Sequence, residues 1–288
     1  MKEISYFPWL ISPHTILWVY YIKEMRDFMK YFYKDIKKEN NIRLRGVLNT
    51  GDDFDKSKTY PTVIYFHGFA DDRNGLQFMN IQNSKFLTTN GYIVFRFDFS
   101  GCGESDGSFF DINLSREVEE ARLIHDFVIN EPYVDKENLF WKGHSMGGSV
   151  AVAIAHEKKP KALSLFSPAA DFSEEENSLM KSLKEAFRSS YVKKEGDDVG
   201  GLKISDEFIK DVTSYDLYAL ARKYQGPVQI IRGDEDKIIS KESNEKLCKS
   251  FENCIYKEIK GTDHTFSDFD QRLESFQLMF DFFEKYRS

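Results

Sequence analysis

A serine between glycines is the residue in this sequence best suited to covalent chemistry. It lies in the segment Gly143-His144-Ser145-Met146-Gly147-Gly148, between a short apolar run and an alanine-rich stretch. A buried strand that turns sharply into a helix would lift the Ser145 hydroxyl above a sheet, and the glycines would allow the close packing that this turn requires. The positive end of the helix dipole would favour an oxyanion there. The pattern predicts Ser145 as a nucleophile.

A serine hydroxyl is a poor nucleophile unless a base accepts its proton, so a histidine is needed. Of the six histidines, His125 and His156 fall in predicted helices, and His144 is expected to point away from the neighbouring serine. His264 follows the last predicted strand, from where a side chain can reach over the sheet. The sequence therefore predicts His264 as the base.

The base in turn needs a carboxylate that holds its tautomer. The segment Arg232–Ile239 follows a predicted strand and contains several acids. Asp236 is predicted to pair with the base, with Asp234 as the alternative. Asp263, beside His264, is expected to cap its own loop.

Two backbone amides are expected to stabilise the oxyanion. His67-Gly68-Phe69 follows a predicted strand, and Gly68 allows the chain to turn so that the Phe69 amide faces the developing charge. The second amide is that of Met146, after the serine. His67 is expected to brace this loop rather than act as a base. This chemistry requires no metal and no cofactor.

The pattern of apolar runs predicts the elements that position these residues. Six short runs are apolar on both faces, as expected of strands in a parallel sheet covered by helices. They are Thr62–Phe66, Tyr92–Phe97, Leu139–Trp141, Ala162–Phe166, Val228–Ile231 and Ile255–Ile259. Helical spacing follows in Ile112–Asn130, Met146–Ala155, Lys241–Phe251 and Ser267–Tyr286. The alternation predicts an open α/β fold with a mostly parallel central sheet flanked by helices.

Two further segments complete the predicted domain, residues 31–288. Tyr31–Lys37 and Ile42–Leu48 are expected to pair as antiparallel strands. A charged insert at about residues 169–214 interrupts the alternation, and its first part carries a helical stripe of Leu179, Leu183 and Phe187. An insert at the carboxyl edge of such a sheet lies where ligands bind, so a lid subdomain is predicted, with a solvated excursion as the alternative.

The N-terminal extension, residues 1–30, has no assigned role. Its segment from Phe7 to Ile22 is apolar but interrupted by Pro8 and Pro13, and it is shorter than a membrane span requires. A packed element, contact with a membrane surface through residues 7–22, and an extension before a start at Met25 or Met29 remain alternatives.

The composition excludes several classes of protein. The chain has 288 residues with 40 Lys and Arg against 47 Asp and Glu, so its net charge of −7 argues against nucleic acid as a partner. Its three cysteines are odd in number and form no disulfide framework or zinc pattern, which favours a cytoplasmic location. Homo-oligomerisation is left open.

From about Tyr31 onward the chain resembles the α/β-hydrolase superfamily. Within it, the sequence is similar to bacterial cinnamoyl or feruloyl esterases and to serine-aminopeptidase-like hydrolases, which include monoacylglycerol lipases. The motifs behind this resemblance are His67-Gly68-Phe69, Phe97–Gly107, Gly143–Gly148, Gly233–Ile239 and Asp263–Asp268. The resemblance implies Ser145, Asp236 and His264 as the triad, with Phe69 and Met146 as oxyanion amides. Cys102 stands where the family usually has a histidine, and is expected to be a small loop residue.

The expected activity is hydrolysis of a carboxylic ester of a small or medium acyl or aryl acid, hydroxycinnamate esters among them, through an acyl-enzyme on Ser145. The partner is then a small-molecule ester. The alternatives are a peptidase, a thioesterase or a monoacylglycerol lipase with the same triad. A non-catalytic binding protein on the same fold is disfavoured, because every residue that the chemistry needs is present.

Overall fold

The computed structural model describes residues 29–39, 41–172, 198–199 and 201–288, with the backbone alone for Asp198, Val199 and Asp206. The N-terminal segment 7–22 and the predicted stripe of Leu179, Leu183 and Phe187 lie outside the described residues.

A mostly parallel sheet forms the centre of the fold. In the described chain it has eight strands in the order β1-β2-β4-β3-β5-β6-β9-β10, and a short antiparallel pair, β7-β8, stands apart. The strands are β1 Lys30–Lys37, β2 Arg43–Thr50, β3 Tyr60–Phe66, β4 Ile93–Phe97, β5 Val134–His144, β6 Ala162–Phe166, β7 Asp198–Val199, β8 Leu202–Lys203, β9 Val228–Gly233 and β10 Cys254–Ile259. Only the pairings of β1 with β2 and of β2 with β4 are antiparallel among those of the described sheet. The predicted hairpin and parallel strands are thus present.

Helices cover both faces of the sheet. They are α1 Met79–Thr89, α2 Leu114–Ile129, α3 Met146–Lys158, α4 Asp206–Thr213, α5 Leu217–Ala221, α6 Lys241–Ser250 and α7 Phe269–Tyr286, with 3-10 turns at Leu76–Phe78 and Phe109–Asp111. One apolar layer packs α2, α3, α5 and α6 against the sheet, and the other packs α1 and α7. The α/β class predicted from the sequence is confirmed.

The strands show why the apolar runs predicted a sheet. On β5, Phe140 and Trp141 are both fully buried, and they face opposite apolar layers. The strand predicted at Ile255–Ile259 is present as β10, but the expected burial on both faces was wrong, because β10 is an edge strand and exposes Lys257 and Glu258. An edge strand needs burial on fewer sides, so charged residues are tolerated there.

Helix α1 was not predicted, because its sequence has no apolar stripe. Asn80, Asn83 and Ser84 are buried on it beside Phe86 and Leu87. The polar side chains find partners inside the protein: the Asn80 carboxamide oxygen accepts a hydrogen bond from the Lys142 ammonium at 2.6 Å. Such a helix is visible only once the groups that satisfy its polar face are known.

The described part of the insert packs against the loop that follows β3. On α4, Phe208 and Val212 are buried, and the Phe208 ring centroid lies 5.0 Å from that of Phe69. The Asp211 carboxylate accepts hydrogen bonds from the amide and hydroxyl of Ser115, near the start of α2. The position of α4 agrees with a lid, and the role of the insert as a lid stays a prediction.

The structure corrects the interpretation of the cysteines. Cys248, at the end of α6, forms a disulfide with Cys254, at the start of β10, across a Cα–Cα distance of 5.4 Å. The count and spacing of cysteines had indicated no disulfide framework, because the packing that brings the two backbones together is not visible in the sequence. Cys102 is free and buried.

None of the helices in the described ranges has both the length and the apolar character that a membrane span requires.

Glu117 on α2 is an ionisable residue that is buried without a hydrogen-bond partner among the described residues. It is 2% exposed, and neither of its carboxylate oxygens has a hydrogen-bond partner in the described part of the chain. Burial, with the charges of Glu120 and Asp211, raises the pKa of Glu117 well above its usual value. The carboxyl group is therefore protonated over a range in which an exposed glutamate is ionised.

We expect Glu117→Gln to stabilise the protein increasingly as the pH rises. The pKa of Glu117 is higher in the folded state than in the unfolded state. The contribution of Glu117 to the free energy of unfolding is therefore fully present below the unfolded pKa and is lost as pH rises through the folded pKa. The free energy of unfolding of Glu117→Gln, relative to the wild type, should increase by up to about 1.4 kcal/mol for each pH unit between the two pKa values. Urea unfolding from pH 4.5 to 8.5 measures it, with exposed Glu119→Gln as the control. A stability difference independent of pH would contradict the prediction.

Candidate active site

A strained turn holds the predicted nucleophile. Strand β5 ends at His144 and helix α3 begins at Met146, so Ser145 lies between them with φ 52° and ψ −119°. The turn is tight enough that a Cβ at Gly143 would lie 2.6 Å from the Gly147 carbonyl oxygen, and one at Gly147 would overlap the backbone of β3. A non-glycine residue keeps this conformation only where its surroundings impose it, which is typical of a functional position.

Backbone hydrogen bonds impose the conformation of Ser145. Its amide donates to the Phe166 carbonyl on β6 at 3.0 Å. Its carbonyl accepts from the amide of Gly148 at 2.9 Å and from that of Ala169 at 3.0 Å. Ser145 is thus held by the strand beside it, by its own helix and by the start of the insert.

Asp236 and His264 form a hydrogen-bonded pair at the same edge of the sheet. His264 Nδ1 donates to Asp236 Oδ2 at 2.8 Å, which leaves Nε2 as the basic nitrogen. The other carboxylate oxygen accepts from the amides of Ile238 and Ile239 at 2.8 and 2.9 Å. Burial by itself would raise the pKa of Asp236, but the hydrogen bond and charge of His264 and the two amides outweigh it and lower the pKa.

The other two candidate acids satisfy backbone amides. Asp234 Oδ1 accepts from the Gly261 amide at 2.6 Å. Asp263 Oδ1 accepts from the amides of Thr265 and Ser267 at 2.9 and 3.1 Å, as expected of a loop cap. Neither shares a hydrogen bond with the predicted base in the part of the chain that the structure describes.

The predicted nucleophile, acid and base are all buried, and His144 links the serine to the loop of the base. Ser145, Asp236 and His264 are 8%, 6% and 7% exposed. His144, the residue before the serine, places its ring 5.0 Å from the His264 ring, and its Nε2 donates to the His264 carbonyl oxygen at 3.0 Å. This contact is not predictable from the sequence, because nothing in the segment around His144 indicates which loop packs against it.

The loop that carries the first predicted oxyanion amide packs directly against the serine. A Cβ at Gly68 would lie 3.3 Å from Ser145 Cβ. Phe69, the next residue, is therefore close to the serine. His67 braces the loop as predicted: its Nδ1 donates to the Gly68 carbonyl at 2.9 Å, and its Nε2 accepts from the Phe99 amide at 3.1 Å. The second amide, that of Met146, is the first of α3, where helix amides have no intrahelical acceptor.

Asp98, at the end of β4, ties two loops together next to the site. It accepts hydrogen bonds from the amides of Arg73 and Glu104, at 2.6 and 2.9 Å, and pairs with the Arg73 guanidinium. The Phe97–Gly107 motif gave no role to Asp98 before the fold was known. Its carboxylate holds the chain at Arg73, a few residues after the His67–Phe69 loop, against the chain at Glu104.

Aromatic rings line the side of the site towards the insert. Phe69 lies between Phe109 and Phe208, with ring centroids 5.5 and 5.0 Å away. Cys102 is buried in the same apolar layer, and burial raises the pKa of its thiol, which disfavours the reactive thiolate. In the described ranges no group of three or more His, Cys, Asp or Glu side chains could hold a metal ion.

The fold and the site are those of an α/β-hydrolase. The sheet is mostly parallel, the strained serine lies at a strand-to-helix turn, and the histidine lies on the loop after the last strand. The family model described as "Serine aminopeptidase, S33" matches residues 57–219. The chain belongs to this family.

Relatives and solved structures agree with the family. Over 127 residues the chain is 33% identical to lysophosphatidylserine lipase ABHD12 of Xenopus tropicalis, covering 42% of this chain and 31% of that protein. Over 195 residues it is 27% identical to the mitochondrial palmitoyl-protein thioesterase ABHD10 of Mus musculus, covering 64% and 61%. The chain thus spans less than two thirds of either relative. The ferulic acid complex of Est1E from Butyrivibrio proteoclasticus shares the fold, with a TM-score of 0.72, 22% identity, and 88% and 98% coverage.

We expect Asp236→Asn to lower kcat by about 1,000- to 10,000-fold, because an amide in place of the carboxylate favours the wrong tautomer of His264. The matched control is Asp234→Asn, which alters a backbone contact only and should stay within a few-fold of the wild type. Hydrolysis of p-nitrophenyl butyrate at pH 8 measures both. A large loss in the control with none in Asp236→Asn would reverse the assignment.

Proposed function

We propose that this protein is a serine esterase that cleaves carboxylic esters of small or medium acyl or aryl acids. The observation that carries the proposal is the strained Ser145 at the start of α3, whose neighbour His144 is hydrogen-bonded to the backbone of His264 in the Asp236–His264 pair. Membership of a serine-dependent hydrolase family supports it.

The mechanism begins with attack of Ser145 Oγ on the ester carbonyl carbon, while His264 Nε2 takes the hydroxyl proton. The hydrogen bond between Ser145 Oγ and His264 Nε2 that this step requires is part of the proposal. Asp236 keeps Nδ1 protonated and stabilises the imidazolium. The amides of Phe69 and Met146 stabilise the oxyanion of the tetrahedral intermediate.

Collapse of that intermediate breaks the bond to the leaving alkoxide, which takes the proton from His264 Nε2 and departs as an alcohol. A water then attacks the acyl-enzyme, with His264 again taking a proton, and the acid is released as Ser145 recovers its hydroxyl hydrogen. The serine proton leaves with the alcohol and a proton from water replaces it, so the enzyme is restored and the proposed reaction consumes only ester and water.

The substrate class rests on the aromatic wall and on the relatives. Phe69 is partly exposed and packs on the buried rings of Phe109 and Phe208, and this apolar cluster suits contact with an acyl chain or an aromatic ring. Est1E binds ferulic acid, ABHD10 is named a palmitoyl-protein thioesterase and ABHD12 a lysophosphatidylserine lipase. Cleavage of a thioester or of a lysolipid by the same triad is the second candidate.

We expect Ser145→Ala to abolish turnover of p-nitrophenyl butyrate, with kcat at least about 1,000-fold lower, because removing the nucleophile leaves only oxyanion stabilisation and binding. A fluorophosphonate probe should add one covalent group at Ser145 of the wild type and none to the variant, as read by peptide mass spectrometry. Undiminished turnover, or labelling at another residue, would refute the proposal.

A substrate panel separates the candidates. We expect p-nitrophenyl esters with short and medium chains, or methyl hydroxycinnamates, to give the highest kcat/KM. A higher kcat/KM for palmitoyl thioesters or for lysophospholipids would assign the site to the second candidate.

Phe208→Ala should change the ranking of acyl groups on this panel without abolishing turnover, because Phe208 contacts Phe69 but none of the predicted triad in the described contacts.

A further inference from the structure

Side chains from two separate elements hold the backbone of the loop that carries the proposed base. His144 Nε2 donates to the His264 carbonyl at 3.0 Å. Arg272 on α7 reaches the next two carbonyls, with Nη2 3.4 Å from that of Thr265 and Nε 2.7 Å from that of Phe266. Three successive carbonyl oxygens of one loop are therefore bound by side-chain donors.

The loop needs these donors because it lies outside the sheet and has a conformation that its own residues do not favour. Phe266 adopts φ 52°, although its side chain is fully buried, with its ring 5.3 Å from that of Phe166. Asp263 satisfies amides of the same loop. With both amides and carbonyls bound, the backbone around His264 has little freedom to shift.

His144 is suited to act as a permanent neutral donor. It is 2% exposed, and burial, with the adjacent His264, lowers its pKa to about 3. Because the partner of Nε2 is a carbonyl oxygen, Nε2 carries the hydrogen. Its Nδ1 has no partner among the described residues. His144 therefore offers one hydrogen bond, and that bond goes to His264.

His144 also connects the two reacting groups. One peptide bond joins it to Ser145, and one hydrogen bond joins it to the backbone of His264. We propose that His144 is a positioning residue that sets the separation between Ser145 Oγ and His264 Nε2, with Arg272 holding the remainder of the same loop. This inference rests on the proposed function, because it assigns the geometry within that triad.

The size of the expected effect follows from the sensitivity of proton transfer to geometry. A displacement of about 1 Å between reacting groups costs on the order of 100-fold in rate. Loss of one of several anchors should shift the loop by less than that. We therefore expect a decrease in kcat of about 10- to 100-fold with KM changed by less than about 3-fold, because His144 is assigned no contact with the substrate.

The test compares His144→Leu with His144→Gln. Leucine keeps much of the volume and removes the donor, whereas the glutamine amide nitrogen can replace Nε2 as a donor to the His264 carbonyl. Both are assayed on p-nitrophenyl butyrate, and kcat is expressed per serine that reacts with a fluorophosphonate probe. That normalisation removes the effect of misfolded protein. We expect the leucine variant to show the full loss and the glutamine variant to recover to within about 5-fold of the wild type.

His125→Leu is the matched control. His125 is also buried, with a pKa lowered to about 4 by burial and by Lys158, but it packs against Trp141 with a centroid distance of 5.4 Å. It should change the melting temperature and leave kcat per reactive serine unchanged.

The outcomes distinguish failure of the positioning role from failure of the proposed function. An unchanged kcat per reactive serine in His144→Leu, or an equal loss in His144→Gln, would overturn the positioning role while Ser145 labelling upholds the proposed function. A wild-type protein that neither labels at Ser145 nor hydrolyses any ester would overturn the proposed function and the positioning role with it.

Discussion

The close approach of helix α3 to strand β3 is the constraint on which the rest of this site depends. At Gly147 the helix lies so near the end of β3 that no side chain fits between them. The chain must therefore turn from β5 into α3 within the single residue Ser145, at φ 52°. That turn presents the serine next to Gly68 and leaves the first amides of α3 without intrahelical acceptors. A larger residue at Gly147 would separate all of these features at once.

The proposed acid and base come from loops far along the chain from Ser145, and hydrogen bonds keep those loops in place. Asp236 is bound by two amides of its own loop as well as by His264. The histidine loop is bound through its carbonyls by His144 and Arg272. Loops of this kind have no ladder hydrogen bonds, so side chains must supply the partners that a sheet would supply. The buried backbone polar groups of these loops are therefore satisfied by side chains close to the proposed triad.

How much of the fold could be predicted depends on how strongly each segment shows a period. Strands such as β6, buried on both faces, were predicted with their observed bounds, because a short run of apolar residues has few other solutions in a layered fold. Helix α1 was missed, since its buried face is polar and is satisfied by groups such as Lys142. The exposed edge of β10 and the Cys248–Cys254 disulfide were missed as well. Each depends on what lies beside it in space.

The sequence by itself determined the residue types at the site and their order, because the glycine spacing around Ser145 permits one kind of turn and a serine nucleophile needs a histidine and an acid. It also narrowed the acid to the loop after β9 and favoured Asp236 over Asp234. The folded loop shows which of these two carboxylates meets His264, because it turns Asp236 towards His264 and Asp234 towards the Gly261 amide. It likewise revealed the contact between His144 and the His264 backbone. Contacts between residues more than a hundred positions apart arise from packing, and no local pattern encodes them.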